Sequence, residues 1–196
     1  MPFYLKDRDI SSDISNVGSV LIVPCRFCPA ASLAVREKKP FIELFRKFLR
    51  TAAYEEYIQE LKSHLEQFGI KARVFDSKLP QYSIVCMWTS GCRKKLKQQA
   101  SEYDAVMVLG CDAAVKTAQD SRPSTRCKVI PGMEIEGIMN VIPSFKFPGK
   151  IFLEVTSVIR VLESPSEKTN KRASWSRQAN FGFQSCKNGD ILRSTD

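Results

Sequence analysis

The chain has no apolar run long enough to cross a bilayer, and no apolar segment behind its first residues resembles a signal peptide. Its longest early apolar run, residues 19–24, is far too short for a transmembrane helix. We therefore expect a cytoplasmic protein that makes no membrane contact. In that reducing compartment, thiols usually bind metals or carry out redox chemistry rather than form disulfides.

Histidine and nucleotide-binding motifs are also scarce. His64 is the only histidine among 196 residues, and it falls on an amphipathic helix pattern, so a Ser-His-Asp catalytic set has no support. No Walker loop and no G-x-G-x-x-G fingerprint occurs. The sequence therefore gives no specific reason to expect hydrolysis, or binding of ATP or NAD.

Basic residues exceed acidic ones, which gives a formal net charge of +9. The excess collects at 36–39, 46–50 and 93–97 and in the last part of the chain. Solvated helix faces account for such clusters, although a basic face also attracts acidic protein partners. Helix-turn-helix, zinc-finger and RNA-binding signatures are missing, so no specific nucleic-acid interaction is expected.

Strand-like and helical patterns alternate through most of the chain. We predict a loose segment at 1–16, one α/β domain at 17–163 and a disordered basic tail at 164–196. Helical patterns separate the apolar, β-branched runs, which favours a flavodoxin-like parallel sheet with helices on both faces. The predicted strands are 17–23, 71–75, 82–87, 104–109 and 128–130. Residues 137–147 and 151–162 predict a C-terminal β-hairpin, which is a candidate surface for a homodimer.

Five of the seven cysteines fall at or just after the ends of predicted strands. In an open α/β sheet, the loops at the carboxyl ends of the strands meet in one crevice. We therefore expect these thiols to lie close together. They are Cys25, Cys28, Cys86, Cys92 and Cys111. Cys127 and Cys186 are interpreted as incidental.

A four-sulfur site suits an iron–sulfur cluster or tetrahedral zinc. The Cys25-x-x-Cys28 loop lets two sulfurs approach one metal while the backbone turns, and helix starts beside Cys92 and Cys111 favour the thiolate. Two other interpretations stay open. The loop is also compatible with a thioredoxin-like dithiol, and buried cysteines can be simple core residues.

The cysteine segments together resemble one family. They are Val23-Pro-Cys25-Arg-Phe-Cys28-Pro-Ala-Ala-Ser32, Ile84-Val-Cys86 with Ser90-Gly91 nearby, and Asp104-Ala-Val-Met-Val-Leu-Gly110-Cys111-Asp112. Across roughly residues 17–120, this pattern is similar to the iron–sulfur delta subunit of methyl-viologen-reducing hydrogenases, which works with heterodisulfide reductase. A related domain accompanies the carboxyl-terminal family of methylenetetrahydrofolate reductases.

The resemblance implies a [2Fe–2S] cluster on Cys25, Cys28, Cys86 and Cys111 that passes electrons between protein partners. The family carries a further cysteine a few residues beyond its Gly-Cys, where this chain has 114–116 as Ala-Val-Lys. The additional cysteine in this chain is Cys92, and the resemblance leaves open whether it replaces Cys86 or the missing cysteine.

We therefore expect an iron–sulfur electron-transfer or accessory protein with a redox protein partner, rather than a self-contained enzyme. One alternative is a zinc or corrinoid-pathway binding module without redox chemistry. A second alternative is a thiol enzyme that uses the Cys25-x-x-Cys28 loop, which needs no metal.

Overall fold

The chain's most apolar runs form a four-stranded parallel sheet at the centre of the fold. The computed structural model describes residues 2–43, 51–75, 84–122 and 127–160, all within one unit of residues 1–161. Its elements, in chain order, are β1 (Phe3–Asp7), α1 (Ser11–Ile14), β2 (Ser19–Pro24), α2 (Cys28–Glu37), β3 (Ile42–Glu43), α3 (Ala52–Gln67), β4 (Lys71–Val74), a 3₁₀ turn (Val85–Met87), α4 (Ser90–Ala100), β5 (Ala105–Leu109), α5 (Asp112–Asp120), β6 (Lys128–Pro131), β7 (Met133–Lys146) and β8 (Lys150–Arg160).

The parallel sheet has the strand order β4-β2-β5-β6. Its two central strands, β2 and β5, pair from Val20 with Ala105 to Pro24 with Leu109. Nearly every side chain of these two strands is buried, as expected for strands covered on both faces. The predicted parallel sheet with intervening helices is confirmed.

A second, antiparallel sheet has the order β1-β7-β8-β3. The sequence predicted a loose segment at 1–16, and this was wrong for β1, which pairs with β7 from Phe3 opposite Ile138 to Asp7 opposite Met133. Leu5 at the centre of β1 is completely buried. The pairing joins residues more than 120 positions apart, so no local pattern in this short, mixed segment indicates it.

Two helices, α2 and α3, follow β2, with the short strand β3 between them. The amphipathic face of α3 is buried through Tyr54, Tyr57, Ile58, Leu61 and Leu65. Gly69 then ends the helix with a φ of 77°, a left-handed conformation that glycine adopts at no steric cost. The break after α2 follows Lys38, which also has a positive φ.

The strand predicted at 82–87 does not form over its described part. Residues 85–87 make a single 3₁₀ turn, in which Met87 N–H donates to Ile84 C=O and Trp88 N–H donates to Val85 C=O. These bonds close within the segment, so its backbone does not pair with the sheet. Cys86 therefore lies on a turn and not at the end of a strand.

Several expectations fall on residues outside the described ranges. They are the tail at 164–196 with Cys186, and residues 82 and 83 of the predicted third strand. Within the described ranges, no helix is both long enough and apolar enough to span a membrane.

Candidate functional site

Two of the predicted site cysteines follow neighbouring strands of the parallel sheet. Cys25 comes directly after β2, and Cys111 comes two residues after the end of β5. Cys25 N–H donates to Leu109 C=O at 2.8 Å, so the pairing of the two strands continues into the site. This is the point where the strand order reverses, since the chain passes from β2 to β4 on one side and to β5 on the other. Crevices at such points are the usual ligand sites of open α/β sheets.

Gly110 lets the two cysteine loops approach each other. A Cβ atom at this position would lie 2.7 Å from the Ala114 Cβ and 3.2 Å from the Cys25 Cβ. The first separation is shorter than real Cβ contacts, so any larger side chain would push the start of α5 away from the Cys25 loop. The Gly-Cys pair after β5 therefore has a packing reason as well as a chemical one.

Cys28 and Cys111 are in direct contact. Cys28 is the first residue of α2, Cys111 immediately precedes α5, and their thiols are hydrogen-bonded to each other. That bond lowers the pKa of Cys111 to about 6, and backbone N–H groups of Ala113 and Ala114 at the start of α5 act in the same direction. The same bond, followed by burial, raises the pKa of Cys28. The hydrogen bond thus favours the thiolate form of Cys111, with the Cys28 thiol as its donor.

Cys25 and Cys86 complete a group of four interacting thiols. Burial raises the pKa of Cys25 to about 11, and the charges of Cys86 and Cys111 contribute to the rise. The backbone N–H groups of Val85 and Phe27 bond to Cys25 and oppose that shift. Desolvation and then the charge of Cys111 raise the pKa of Cys86, although this side chain is exposed. Three loops of the chain therefore place four of the five predicted site residues near enough to influence one another's pKa.

Cys92, the fifth predicted residue, occupies a different environment. It lies in the first turn of α4, and together with Leu96 and Ala100 it forms the buried stripe of that helix. This i, i+4, i+8 spacing is that of a core-facing helix surface. Its role as a ligand therefore remains a prediction that the packing of α4 does not favour. Cys127 is likewise buried, beside the start of β6.

Several residues that support the site were not singled out by the sequence. Arg26, between Cys25 and Cys28, forms an ion pair with Glu55 of α3, and both side chains are largely buried. Tyr54 of α3 donates to Leu109 C=O at 3.4 Å. Burial raises the pKa of Tyr54, and the charge of Cys25 adds to that rise. These contacts hold the Cys25-x-x-Cys28 loop against α3, and no local signal could have indicated them.

Ser32 connects the site to the antiparallel sheet. Its hydroxyl accepts a hydrogen bond from Leu5 N–H at 2.9 Å and lies 2.9 Å from the Cys28 carbonyl oxygen. The side chain is completely buried. The Phe3 N–H of β1 bonds to Cys28 and lowers its pKa, against the larger upward shifts. The first strand of the chain is thus part of the wall around Cys28.

The rim of the site is exposed beside Cys86. The next residue, Met87, has 73% of its surface exposed, and Phe27, between the two cysteines of the first loop, is 41% exposed. The helix α4 begins two residues after Trp88 and carries Arg93, Lys94, Lys95 and Lys97. The thiol of Cys86 therefore reaches solvent next to apolar side chains and a basic helix.

A cysteine-only donor set matches iron–sulfur clusters and zinc. All four sulfurs also have backbone N–H donors, which are the contacts that tune sulfur ligands. Within the described ranges, however, no three or more His, Cys, Asp or Glu side chains are arranged so that they could hold a single metal ion. The residues thus suit a sulfur-ligated group in the type of their donor atoms, whereas no three of the described thiols meet around one ion.

Comparison of the chain with protein-family models, with curated proteins and with solved structures gives no match to any of them.

Proposed function

We propose that the chain is an iron–sulfur electron-transfer or accessory protein that holds a [2Fe–2S] cluster through Cys25, Cys28, Cys86 and Cys111. One observation carries the proposal. Four thiols from three separate loops interact at the carboxyl edge of a parallel sheet, where such folds place their ligands. A packing explanation for buried cysteines does not require them to meet.

The arrangement of the thiols suits two irons better than one zinc ion. A [2Fe–2S] cluster takes four cysteine ligands divided between its two irons, so it needs two pairs of sulfurs rather than four around one point. Cys28 and Cys111, joined by a hydrogen bond, would form one such pair, which leaves Cys25 and Cys86 as the other. The charge of Cys86 acts on Cys25, and the charge of Cys111 acts on Cys86. Cys111 already favours the thiolate that metal binding requires.

The protein's own groups would set how the site exchanges electrons. The bound cluster would supply the capacity to accept and release one electron. Burial of Cys25 and Cys111 would keep water from most of the site, while the exposed Cys86 and Met87 would mark the side where a partner approaches. The basic helix α4 beside them would steer an acidic redox protein to that side.

The proposal includes a flavodoxin-like fold. Numbered along the chain, the parallel strands run 2-1-3-4, which is the start of the flavodoxin-like order. Right-handed crossovers would then place α2 and α3 on one face of the sheet and α4 and α5 on the other. The β7–β8 pairing supports the C-terminal hairpin. A cytoplasmic location also belongs to this proposal, since the six described cysteines are all free.

The contact between Cys28 and Cys111 favours a second candidate, a dithiol that exchanges with disulfides. The Cys111 thiolate would attack a substrate disulfide and release one substrate thiolate. Cys28 would then attack the Cys111 sulfur, release the second thiolate and leave a Cys28–Cys111 disulfide. The pair differs from the Cys25-x-x-Cys28 dithiol that the sequence suggested.

Substitution of a buried ligand tests the main proposal. Cys25→Ser should abolish iron binding after anaerobic iron and sulfide reconstitution, measured by iron content and visible absorption. Cys127→Ser is the matched control, because Cys127 is an equally buried cysteine away from the site. Unchanged iron content in Cys25→Ser would refute the ligand set. A protein that binds no iron but forms a Cys28–Cys111 disulfide with a small disulfide reagent would favour the dithiol.

A further inference from the structure

The β7 and β8 strands pair along their length within the antiparallel sheet and form a ribbon with one purely apolar face. Directly paired residues of an antiparallel ladder project to the same side, and alternate pairs share a face. The ladder pairs Met139 with Val158, Val141 with Val155, Pro143 with Leu153 and Phe145 with Ile151. A register shift between Asn140 and Val141 keeps these four pairs on one side. We call these eight residues the apolar face of the ribbon.

The apolar face passes from the core into solvent. Met139 is completely buried, whereas Val155 is 36% and Phe145 is 76% exposed. The apolar face thus continues from the packed base of the ribbon to its tip, where the described residues do not cover this face. A continuous apolar surface of this kind marks an interaction site more often than single exposed apolar residues do.

The charges of the ribbon indicate what covers this surface. Residues 133–160 contain three acidic and three basic residues, and so they sum to zero in a chain of net charge +9. None of the eight residues of the apolar face is charged, while Lys146, Lys150 and Glu154 project to the opposite face. Four of the ribbon's six charges are already in ion pairs, Glu134 with Lys6, Lys150 with Glu43 and Arg160 with Glu136.

We propose that the apolar face of the ribbon packs against the same face of a second copy of this chain. The charge-free face offers no attraction to an acidic partner, to nucleic acid or to a lipid headgroup. It complements itself, because an isologous twofold contact brings identical apolar surfaces together as in a sheet-on-sheet packing. The balanced ribbon is also where two copies of a strongly basic chain meet with least repulsion. This inference does not depend on the iron–sulfur proposal.

The oligomeric state of the full chain tests the inference. Sedimentation equilibrium over a range of protein concentrations should show a monomer–dimer equilibrium. Phe145→Glu should weaken the association at least a hundredfold, because it places a charge on the apolar face. Ile142→Glu is the matched control. This residue is 55% exposed on the same strand but projects to the opposite face, so the change should alter the dissociation constant less than threefold.

Three results would overturn the inference. They are a monomer at every concentration of the unsubstituted chain, a dimer that Phe145→Glu leaves intact, or equal weakening by the two substitutions. Far-ultraviolet circular dichroism of both variants establishes that they are folded. Repeating the measurement after metal chelation should leave the dimer unchanged, which separates this result from any result on the cysteine site.

Discussion

Two regions depart from the usual distribution of buried and exposed side chains, and they do so in opposite ways. They are the carboxyl edge of the parallel sheet with the Cys25 and Cys111 loops, called here the cysteine edge, and the β7–β8 ribbon. At the cysteine edge, the thiols of Cys25 and Cys111 and an Arg26–Glu55 ion pair are buried. On the ribbon, large apolar side chains such as Phe145 are exposed. Buried groups with chemistry and exposed groups without it are the informative departures from ordinary packing. The first suggests a bound group inside the chain, and the second suggests a surface completed by another chain.

The largest effect should separate two cysteines that the sequence left as competitors. Cys86→Ser should remove most of the bound iron, because Cys86 interacts with Cys25 and Cys111. Cys92→Ser should retain it, because Cys92 belongs to the buried stripe of α4. Iron content after anaerobic reconstitution measures both variants. Loss of iron in Cys92→Ser alone would make Cys92 the ligand and Cys86 a surface residue.

Two isoleucine substitutions compare how much a side chain of the parallel sheet and a side chain of the ribbon contribute to the free energy of unfolding. Ile22→Ala in β2 removes a completely buried side chain and should cost about 2–5 kcal/mol of unfolding free energy. Ile159→Ala in β8 removes the same atoms from a residue that is 68% exposed and projects away from the apolar face. It should cost under about 0.5 kcal/mol. Urea denaturation measures both, and equal costs would mean that Ile159 is buried in solution.

Ser32→Ala should have an intermediate effect, because it cuts the link between the two regions. The substitution leaves the buried Leu5 N–H without its acceptor, which should cost about 1–3 kcal/mol. Ser15→Ala is the control, since its hydroxyl bonds only to the exposed Ser12 carbonyl oxygen. If urea denaturation gives the two variants the same stability, Ser32 does not bridge β1 and α2.

The smallest effect is a shift in one thiol titration. In metal-free protein, thiolate absorbance at 240 nm should rise as the pH increases through about 6, because Cys111 loses its proton there. Below that pH Cys111 is a neutral thiol. Cys28→Ala removes the hydrogen bond that is the main cause of the low pKa, so the step should move to higher pH. A step that stays near pH 6 would assign the shift to the start of α5.

The parallel sheet and its edge could be predicted from the sequence, because local patterns encode them. The buried runs at β2 and β5 and the helices after them indicate that the Cys25 and Cys111 loops lie at one edge. Two features could not be predicted. The pairing of β1 with β7 depends on contacts between distant residues. The contact of Cys28 with Cys111, with Cys92 turned toward the core, depends on side-chain packing that spacing alone does not encode.

The central claim is that the four thiols hold an iron–sulfur cluster. The most direct measurement is the iron, zinc and acid-labile sulfide content of protein purified without oxygen, together with its visible absorption spectrum. We predict about two irons and two sulfides per chain and a brown colour that bleaches on reduction. One zinc per chain without colour would contradict the claim and indicate a zinc-binding module. Absence of any metal would contradict it in favour of the Cys28–Cys111 dithiol.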